Sequence, residues 1–215
     1  MFAWSRRVPA IAAILAVALV GLAPSVSAQQ QQGQPEQVRT FVGDINGLEN
    51  IGAKFVVIVA PDRRAAAFVG SRDDSFNQSY AKWYIGAVNG NQLVATANDG
   101  TLITGTADGN QVTGTLGGGQ WSGTVDQTGT AGLYRNRVSD NEVDIAIVAP
   151  DGSWVGMAFT PSGQLLRTWN SGTGVVERVA NTTSIRVRPA PDAPPVQLDL
   201  IQPEPGATFY AAPNT

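Results

Sequence analysis

Carboxylates are the side chains of this sequence that could do chemistry, because it contains neither histidine nor cysteine. Without histidine, the usual general base near neutral pH is missing, together with the commonest zinc ligand. Without cysteine there is no thiol nucleophile, no thiolate metal site and no disulfide. Hydrolases that rely on a Ser-His-Asp or a Cys-His arrangement are therefore excluded.

The carboxylates form two clusters along the chain. One is Asp73-Asp74, and the other comprises Asp140, Glu142 and Asp144. A glycosidase needs two carboxyl groups about 5 to 10 Å apart across one cleft, and a sequence does not give that distance. The first cluster lies among Ser, Arg and Asn in a predicted loop, and the second follows a polar turn. We interpret both as solvated, and we predict no catalytic residue.

Three further aspartates recur in the turns of a repeated segment, at Asp99, Asp108 and Asp126. This recurrence suggests a comparison with calcium-binding nonapeptide repeats. Those repeats need a Gly-Gly-x-Gly-x-Asp core, which the sequence lacks, and it contains no EF-hand loop. We therefore predict neither a metal site nor a cofactor.

Aromatic residues are the candidates for contact with a ligand. Exposed rings on a sheet can stack on sugars, and an apolar barrel interior can hold a lipid, although rings also fill cores. We take Trp83, Tyr84, Trp121 and Trp154 as candidate ligand-binding residues. Trp83 and Tyr84 are adjacent in a predicted strand and point to opposite faces. One of them lies away from the core unless both faces are covered.

Short strands with turn signals between them must position these residues. Three nine-residue units run from Ile103 to Gly129, each with Thr/Ser-Gly-Thr after an apolar residue, and Val94-Ala-Thr-Ala97 precedes them as a weaker copy in the same phase. No segment shows a convincing helical period. Strand signals at a spacing of about 8–12 residues are typical of antiparallel barrels and sandwiches. We predict an all-β fold, a single antiparallel up-and-down barrel or curled meander of about eight to eleven strands.

The repeat also predicts the register of its strands. Tight turns are expected at Gly109-Asn110 and at Gly118-Gly119, the second of which pairs Thr115 with Ser122. The hydroxyl residues then share one solvated face of the sheet. Glycines share the other face with Ile103, Val112, Leu116, Trp121 and Val125. They either leave room for a bulky residue such as Trp121 or line a ligand cavity.

A second internal echo predicts a pair of similar hairpins. Ile58-Val-Ala-Pro-Asp62 recurs as Ile147-Val-Ala-Pro-Asp151, in each case between two apolar strands. Gly152 would supply the left-handed residue of a three-residue turn, and Arg63 would take that place in the first copy at some strain. The echo indicates either two diverged halves or one reused hairpin.

The two ends differ in composition from the centre. Arg6 and Arg7 precede an apolar stretch from Val8 to Ala23, and small residues lead to Ala28, as in a cleaved secretory signal. That stretch is short for a membrane span, which needs roughly 20 residues. Alternating apolar residues near Leu198 allow a short docked edge strand in a Pro-rich end. We predict a signal peptide at 1–28, a Gln-rich linker at 29–37, an antiparallel β domain at 38–180 and a Pro-rich tail at 181–215.

Charge narrows the range of partners. The chain has 14 basic and 17 acidic residues, a formal net charge of −3, and it contains no basic run. It therefore lacks the electrostatic footprint of a nucleic-acid binder and is equally unsuited to anionic membrane surfaces. We predict a secreted or extracytoplasmic protein, in the periplasm or at the cell surface. The sequence does not identify its extracytoplasmic partner or small ligand. We predict that it binds no nucleic acid and, after signal cleavage, no membrane.

Several short motifs occur in a recognisable order between Phe41 and Phe159. They are Phe41-Val-Gly43, the strand Phe55–Ala60, Ala67-Phe-Val69, Trp83 to Gly86, the Thr-Gly-Thr units and Ala131-Gly-Leu-Tyr-Arg135. This order resembles a secreted β-meander or β-barrel module of unknown function found in exported proteins of actinobacteria and related bacteria. The resemblance implies an exported β domain and assigns no catalytic residue.

Three classes of function remain open. We predict an exported, non-enzymatic binding or interaction module; the alternatives are a carrier of small apolar ligands and, less favoured, a carboxylate-based glycan hydrolase. A carrier needs a continuous interior cavity. A carbohydrate-binding module needs at least two exposed Trp or Tyr rings on one face. A hydrolase needs two carboxylates within about 10 Å in a concave site.

Overall fold

A computed structural model describes residues 37–47, 52–127, 129–169 and 176–201. Most of these residues lie in antiparallel strands, which form a closed eight-stranded barrel and an open seven-stranded sheet. The predicted all-β, antiparallel fold with a closed barrel is therefore confirmed. The predicted signal peptide and most of the predicted linker lie outside the described residues.

The barrel is an up-and-down meander that closes by pairing its last strand with its first. Its strands are β1 (Arg39–Asn46), β2 (Lys54–Val59), β3 (Arg64–Gly70), β4 (Trp83–Asn89), β5 (Gln92–Thr96), β6 (Leu102–Asp108), β7 (Gln111–Leu116) and β8 (Gly119–Val125). A short helix, α1 (Asp74–Tyr80), connects β3 to β4.

The open sheet contains the remaining strands in the order β12-β11-β10-β9-β15-β14-β13. They are β9 (Gly132–Ser139), β10 (Glu142–Val148), β11 (Trp154–Phe159), β12 (Leu165–Trp169), β13 (Glu177–Arg178), β14 (Ser184–Val187) and β15 (Val196–Leu200). The meander β9–β12 repeats the connectivity of β1–β4, and β15 pairs with β9 as β8 pairs with β1. This shared order favours two diverged halves over a single reused hairpin.

The predicted Pro-rich tail contains two strands of this sheet. β15 pairs with β14 on one side and with β9 on the other, and Leu198 is fully buried. It is therefore an internal strand rather than a docked edge. Several of the prolines that indicated a tail lie at 189–195, in the connection between β14 and β15, where proline breaks no ladder hydrogen bond. The sheet extends to Leu200, beyond the predicted boundary at residue 180.

Helix α1 corrects the prediction of a loop at Asp73-Asp74, while Asp74 is exposed as expected. The Asp73 carboxylate accepts a hydrogen bond from the Phe76 backbone N–H at 2.7 Å and caps the helix. Asp74 lies in the first turn, where the helix dipole favours a negative charge. Seven residues are too few to show a helical period in the sequence. In the part of the chain that the structure describes, no helix has the length and apolar content to cross a membrane.

Of the two turns predicted within the repeat, one is confirmed and the other lies one residue earlier in the sequence. The turn at Gly109-Asn110 is confirmed by the register of β6 and β7. The next turn lies one residue earlier than predicted, at Gly117-Gly118, because both of these residues have positive φ (57° and 88°), as a tight hairpin requires. Ser122 therefore faces Thr113 instead of Thr115. This shift of two positions leaves the hydroxyl residues on the outer face, as predicted.

Large side chains fill the interior of the barrel. Trp121 is 2% exposed, and its ring packs against Phe55 with 4.8 Å between the ring centroids. A Cβ atom would lie 2.7 Å from the Trp121 ring if added to Gly105, and 2.2 Å from it if added to Gly114. The glycines therefore accommodate Trp121, which is the first of their two predicted uses.

The two echoed hairpins close in the same way. The Ala60 N–H donates to the Arg64 carbonyl at 2.9 Å, and the Ala149 N–H donates to the Ser153 carbonyl at 2.8 Å. Arg63 and Gly152 occupy the left-handed position, with φ of 67° and 81°, as predicted. Apolar residues of both hairpins contribute to one core between the barrel and the open sheet.

Candidate interaction surface

The four candidate ligand-binding residues lie in three different cores. Trp83 (6% exposed) packs between the barrel and the open sheet, whereas Tyr84 and Trp121 lie inside the barrel. Trp154 (2% exposed) lies in the core on the other face of the open sheet. Both faces of β4 are covered, which explains why Trp83 and Tyr84 are both buried. The structure does not bring the four residues together, and ligand binding by any of them stays a prediction.

The hydroxyl groups of two buried tyrosines, Tyr84 and Tyr134, donate hydrogen bonds to backbone carbonyls. The Tyr84 hydroxyl donates to the Tyr80 carbonyl at 3.0 Å, and the Tyr134 hydroxyl donates to the Thr130 carbonyl at 2.7 Å. Burial raises the pKa of Tyr84 above its ordinary value, and it raises that of Tyr134 to about 12. Both hydroxyls therefore stay protonated near neutral pH, and the two rings fill cores, Tyr84 inside the barrel and Tyr134 on the outer face of the open sheet.

Trp83 also lines a groove of about 450 Å³ beside α1. The other lining residues include Lys82, Asn98, Asp99, Phe159 and Gln164. The Lys82 ammonium bonds the Asp99 carboxylate at 2.5 Å, and this hydrogen bond is the main cause that holds the pKa of Asp99 below its usual range. Asp99, the one carboxylate among the lining residues described, is thus ionised and paired, and offers no proton near neutral pH.

The second carboxylate cluster is only partly solvated, which corrects its interpretation from the sequence. Asp140 is exposed and paired with the Arg137 guanidinium at 3.2 Å, but Asp144 is 1% exposed. Arg167, on edge strand β12, bonds Glu142 and lies 3.8 Å from Oδ1 of Asp144. Desolvation, followed by the charge of Glu142, raises the pKa of Asp144 to about 7.

This cluster is buried against one guanidinium and does not face a cleft. Arg167 contacts the carboxyl groups of both Glu142 and Asp144, and Asp144 is 1% exposed. A glycosidase pair instead needs two carboxyl groups that face a substrate across one cleft. Oδ1 of Asp144 and the indole nitrogen of Trp169 are both buried without a hydrogen-bond partner. Among the described residues, no three acidic side chains are grouped to hold a metal ion.

On the outer face of strands β4–β7, Asp108 at the end of β6 is the one charged residue among the described strand residues. The outward side chains of this face, here called the uncharged wall, are Ile85, Ala87, Gln92, Val94, Thr96, Leu102, Thr104, Thr106, Thr113 and Thr115. Asp108, next to the turn at Gly109, borders it. Because charged residues normally make up about a quarter to a third of a soluble surface, this composition sets the wall apart.

Exposed aliphatic residues form a cluster on this wall. Ile85, Val94 and Leu102 are 42%, 44% and 49% exposed. Thr96 pairs with Ile85 on one side and with Leu102 on the other, and Val94 is the next outward residue on the same strand. Directly opposite residues on neighbouring strands have Cβ atoms about 4.5–5.5 Å apart. The three side chains therefore form one patch instead of three isolated exposures.

The fold defines the class of protein as a closed antiparallel barrel joined to an open, curled antiparallel sheet. Comparison with protein-family models gave no match, and comparison with curated proteins gave none either. Among solved structures, the chain matches the DnaN sliding clamp (DNA polymerase III subunit beta) from Pseudomonas aeruginosa bound to griselimycin, with 8% identity and a TM-score of 0.15. The match covers 79% of this chain and 58% of the clamp chain. Similarity at this level carries no argument about fold or function.

Proposed function

We propose that this chain is an exported, non-enzymatic interaction module that uses the uncharged wall as its interface. The observation that carries the proposal is the aliphatic patch of Ile85, Val94 and Leu102, which is exposed among uncharged side chains of the same face. Single exposed aliphatic residues are ordinary, but a contiguous apolar patch is typical of an interaction site. Depletion of charge is the compositional mark of the centre of an interface.

The other functions considered have less support. Trp121 fills the barrel interior that a carrier would need to keep open. A stacking carbohydrate module would expose aromatic rings, yet the tryptophans Trp83, Trp121, Trp154 and Trp169 are each at most 6% exposed. A glycan hydrolase would need two carboxylates that face a cleft, whereas Asp144 is 1% exposed and Glu142 is paired with Arg167. An interaction module needs none of these features.

The proposed export of the chain can be tested by the mass of the mature protein. We expect the mature protein to begin at Gln29, because Val26-Ser27-Ala28 offers the small residues that signal peptidase recognises. Intact-mass measurement of the chain from the extracytoplasmic fraction should show the loss of residues 1–28. An Ala28→Arg variant, which blocks the small position before the cleavage site, should retain them. Recovery of the full-length native chain in the cytoplasm would contradict export.

Site-specific crosslinking tests the interface itself. A photoreactive amino acid placed at Thr96, in the centre of the patch, should form covalent adducts in the compartment where the protein resides. The matched control is the same residue at Gln197, which is exposed on β15 of the open sheet. We expect adducts from position 96 and none from position 197, because only the first lies on the proposed interface.

A second pair of variants controls for folding and for general stickiness. Val94→Glu places a charge in the patch, and Val138→Glu places one at an exposed valine of β9, outside the wall. Adducts at position 96 should disappear in the first variant and persist in the second. Equal adduct yields at positions 96 and 197, or no adduct at either, would refute the proposal.

A further inference from the structure

We infer that the partner bound by the uncharged wall is a second copy of this chain, in a two-fold symmetric dimer. The inference rests on the proposed function, since it names the occupant of the same surface. In a two-fold interface the same patch serves both subunits and must be complementary to itself.

The absence of charge makes the wall compatible with itself. A charged patch placed against its own copy brings like charges together, which is unfavourable. The ten side chains of the wall have no charge to oppose in this way, and Asp108 lies at its border. The composition therefore permits contact with a second copy, and the register of the strands favours it.

The order of residues across three strands suits a two-fold axis that runs along β5. Ile85 on β4 and Leu102 on β6 flank Thr96 at the same level. Rotation about such an axis exchanges the two sides of β5, so that Ile85 of one copy faces Leu102 of the other. Val94 and Thr96 then face the same positions of the second copy. Each aliphatic side chain meets another one, and the threonine hydroxyls meet each other.

The convex shape of the barrel limits the size of this contact. Only β4, β5 and β6 can approach a second convex wall together, so the interface is at the small end of the range for specific complexes. We therefore expect a reversible dimer with a dissociation constant on the order of micromolar, comparable to other small interfaces. The monomer remains folded because its cores lie inside the barrel and beneath the open sheet.

The lack of native cysteine allows a direct test with the whole chain. A Thr96→Cys variant has a single thiol close to the proposed axis, and a Gln197→Cys variant has a single thiol on the open sheet. Under mild oxidation at about ten micromolar protein, a concentration at which a micromolar dimer is populated, we expect rapid formation of a disulfide-linked dimer by Thr96→Cys. The Gln197→Cys variant should stay largely monomeric.

Sedimentation equilibrium provides the second readout. The native chain should show a monomer–dimer equilibrium, and Val94→Glu should weaken dimerisation at least about tenfold, which corresponds to about 1.4 kcal/mol. Val138→Glu, the matched substitution outside the wall, should leave the equilibrium unchanged. Circular dichroism and melting curves of each variant establish that it is folded.

Two outcomes separate this inference from the proposed function. A native chain that stays monomeric, with Thr96→Cys crosslinking no faster than Gln197→Cys, overturns the dimer. If photocrosslinks at position 96 then join the chain to a protein of another mass, the wall is still an interaction surface and only the identity of the partner is wrong. If position 96 forms no adduct of any mass, both the proposed function and the dimer fail.

Discussion

Replacing Trp121 with alanine is expected to lower the free energy of unfolding by about 3–5 kcal/mol, the range for large aromatic residues truncated in a core. The ring of Trp121 lies within 3 Å of where side chains on Gly105 and Gly114 would begin. Because these glycines have no side chains that could move into the space, the barrel cannot collapse around the cavity. The cost should therefore lie at the upper end of this range.

Urea denaturation followed by circular dichroism measures this loss, since the denaturation midpoint falls with stability while the slope stays constant. Trp121→Phe, which keeps a ring in contact with Phe55, should cost less than the alanine variant. Gln120→Ala, at the exposed neighbouring position of β8, should change stability by no more than about 0.5 kcal/mol. A loss below about 1 kcal/mol for Trp121→Ala would mean that Trp121 does not support the barrel wall as described.

The barrel could be predicted from the sequence because its repeat encodes its own register. Thr-Gly-Thr units with tight glycine turns fix which side chains share a face, and the inward positions of Val112 and Trp121 followed directly. The turn at Gly117-Gly118 was misplaced by one residue, since three consecutive glycines offer two equivalent choices. Only the positive φ of the first two distinguishes them.

The uncharged wall could not be predicted from the sequence, because one turn changes the phase of the repeat. The sequence placed Val94 in phase with Ile103, which points inward. A three-residue turn at 98–100 joins β5 to β6, with the Ala97 N–H donating to the Thr101 carbonyl at 2.9 Å. A two-residue turn would keep the phase, and the additional residue reverses it, so that Ala95 lies beside Ile103 and Val94 faces outward.

The open sheet could not be predicted from the sequence for a different reason. Its internal strand β15 follows several prolines, and the pairing of β15 with β9 joins segments more than 60 residues apart. Local patterns contain no information about such a pairing. Asp144 was misread for the same reason, because both faces of β10 are covered only once the sheet curls over its second core.

Replacing Asp144 with asparagine is expected to stabilise the protein at alkaline pH and to leave it almost unchanged in acid. Burial and the charge of Glu142 raise the pKa of Asp144 to about 7 from an ordinary value of 3.8. Between these two values the folded state holds a proton that the unfolded chain releases. Through this group, the free energy of unfolding therefore falls as the pH rises from about 4 to about 7, and then levels off.

The charged groups around Asp144 explain why the substitution should stabilise the protein at alkaline pH. Glu142 on the same strand and Arg167 on β12 are the charged groups that face it, while Asn136 and Ala158 are its uncharged neighbours across the strands. Ionisation of Asp144 places a second negative charge beside Glu142 with one guanidinium to balance both. An amide at this position has nearly the same shape as the protonated acid, carries no charge and can donate a hydrogen bond.

Subtracting the free energy of unfolding of the native chain from that of Asp144→Asn at each pH isolates the contribution of Asp144 from those of the other carboxylates. Asp62, Asp99 and Asp151 have lowered pKa values, and their stabilisation is lost in acid in both proteins alike. Denaturation at about pH 4 should give only a small difference, whereas at about pH 8 Asp144→Asn should be more stable by on the order of 2 kcal/mol. Asp140→Asn, which removes an exposed carboxylate from the turn between β9 and β10, should show no such trend. Parallel stability profiles for Asp144→Asn and the native chain would mean that Asp144 is ionised throughout and balanced by Arg167, so that Arg167 on edge strand β12 would pair with two carboxylates instead of one.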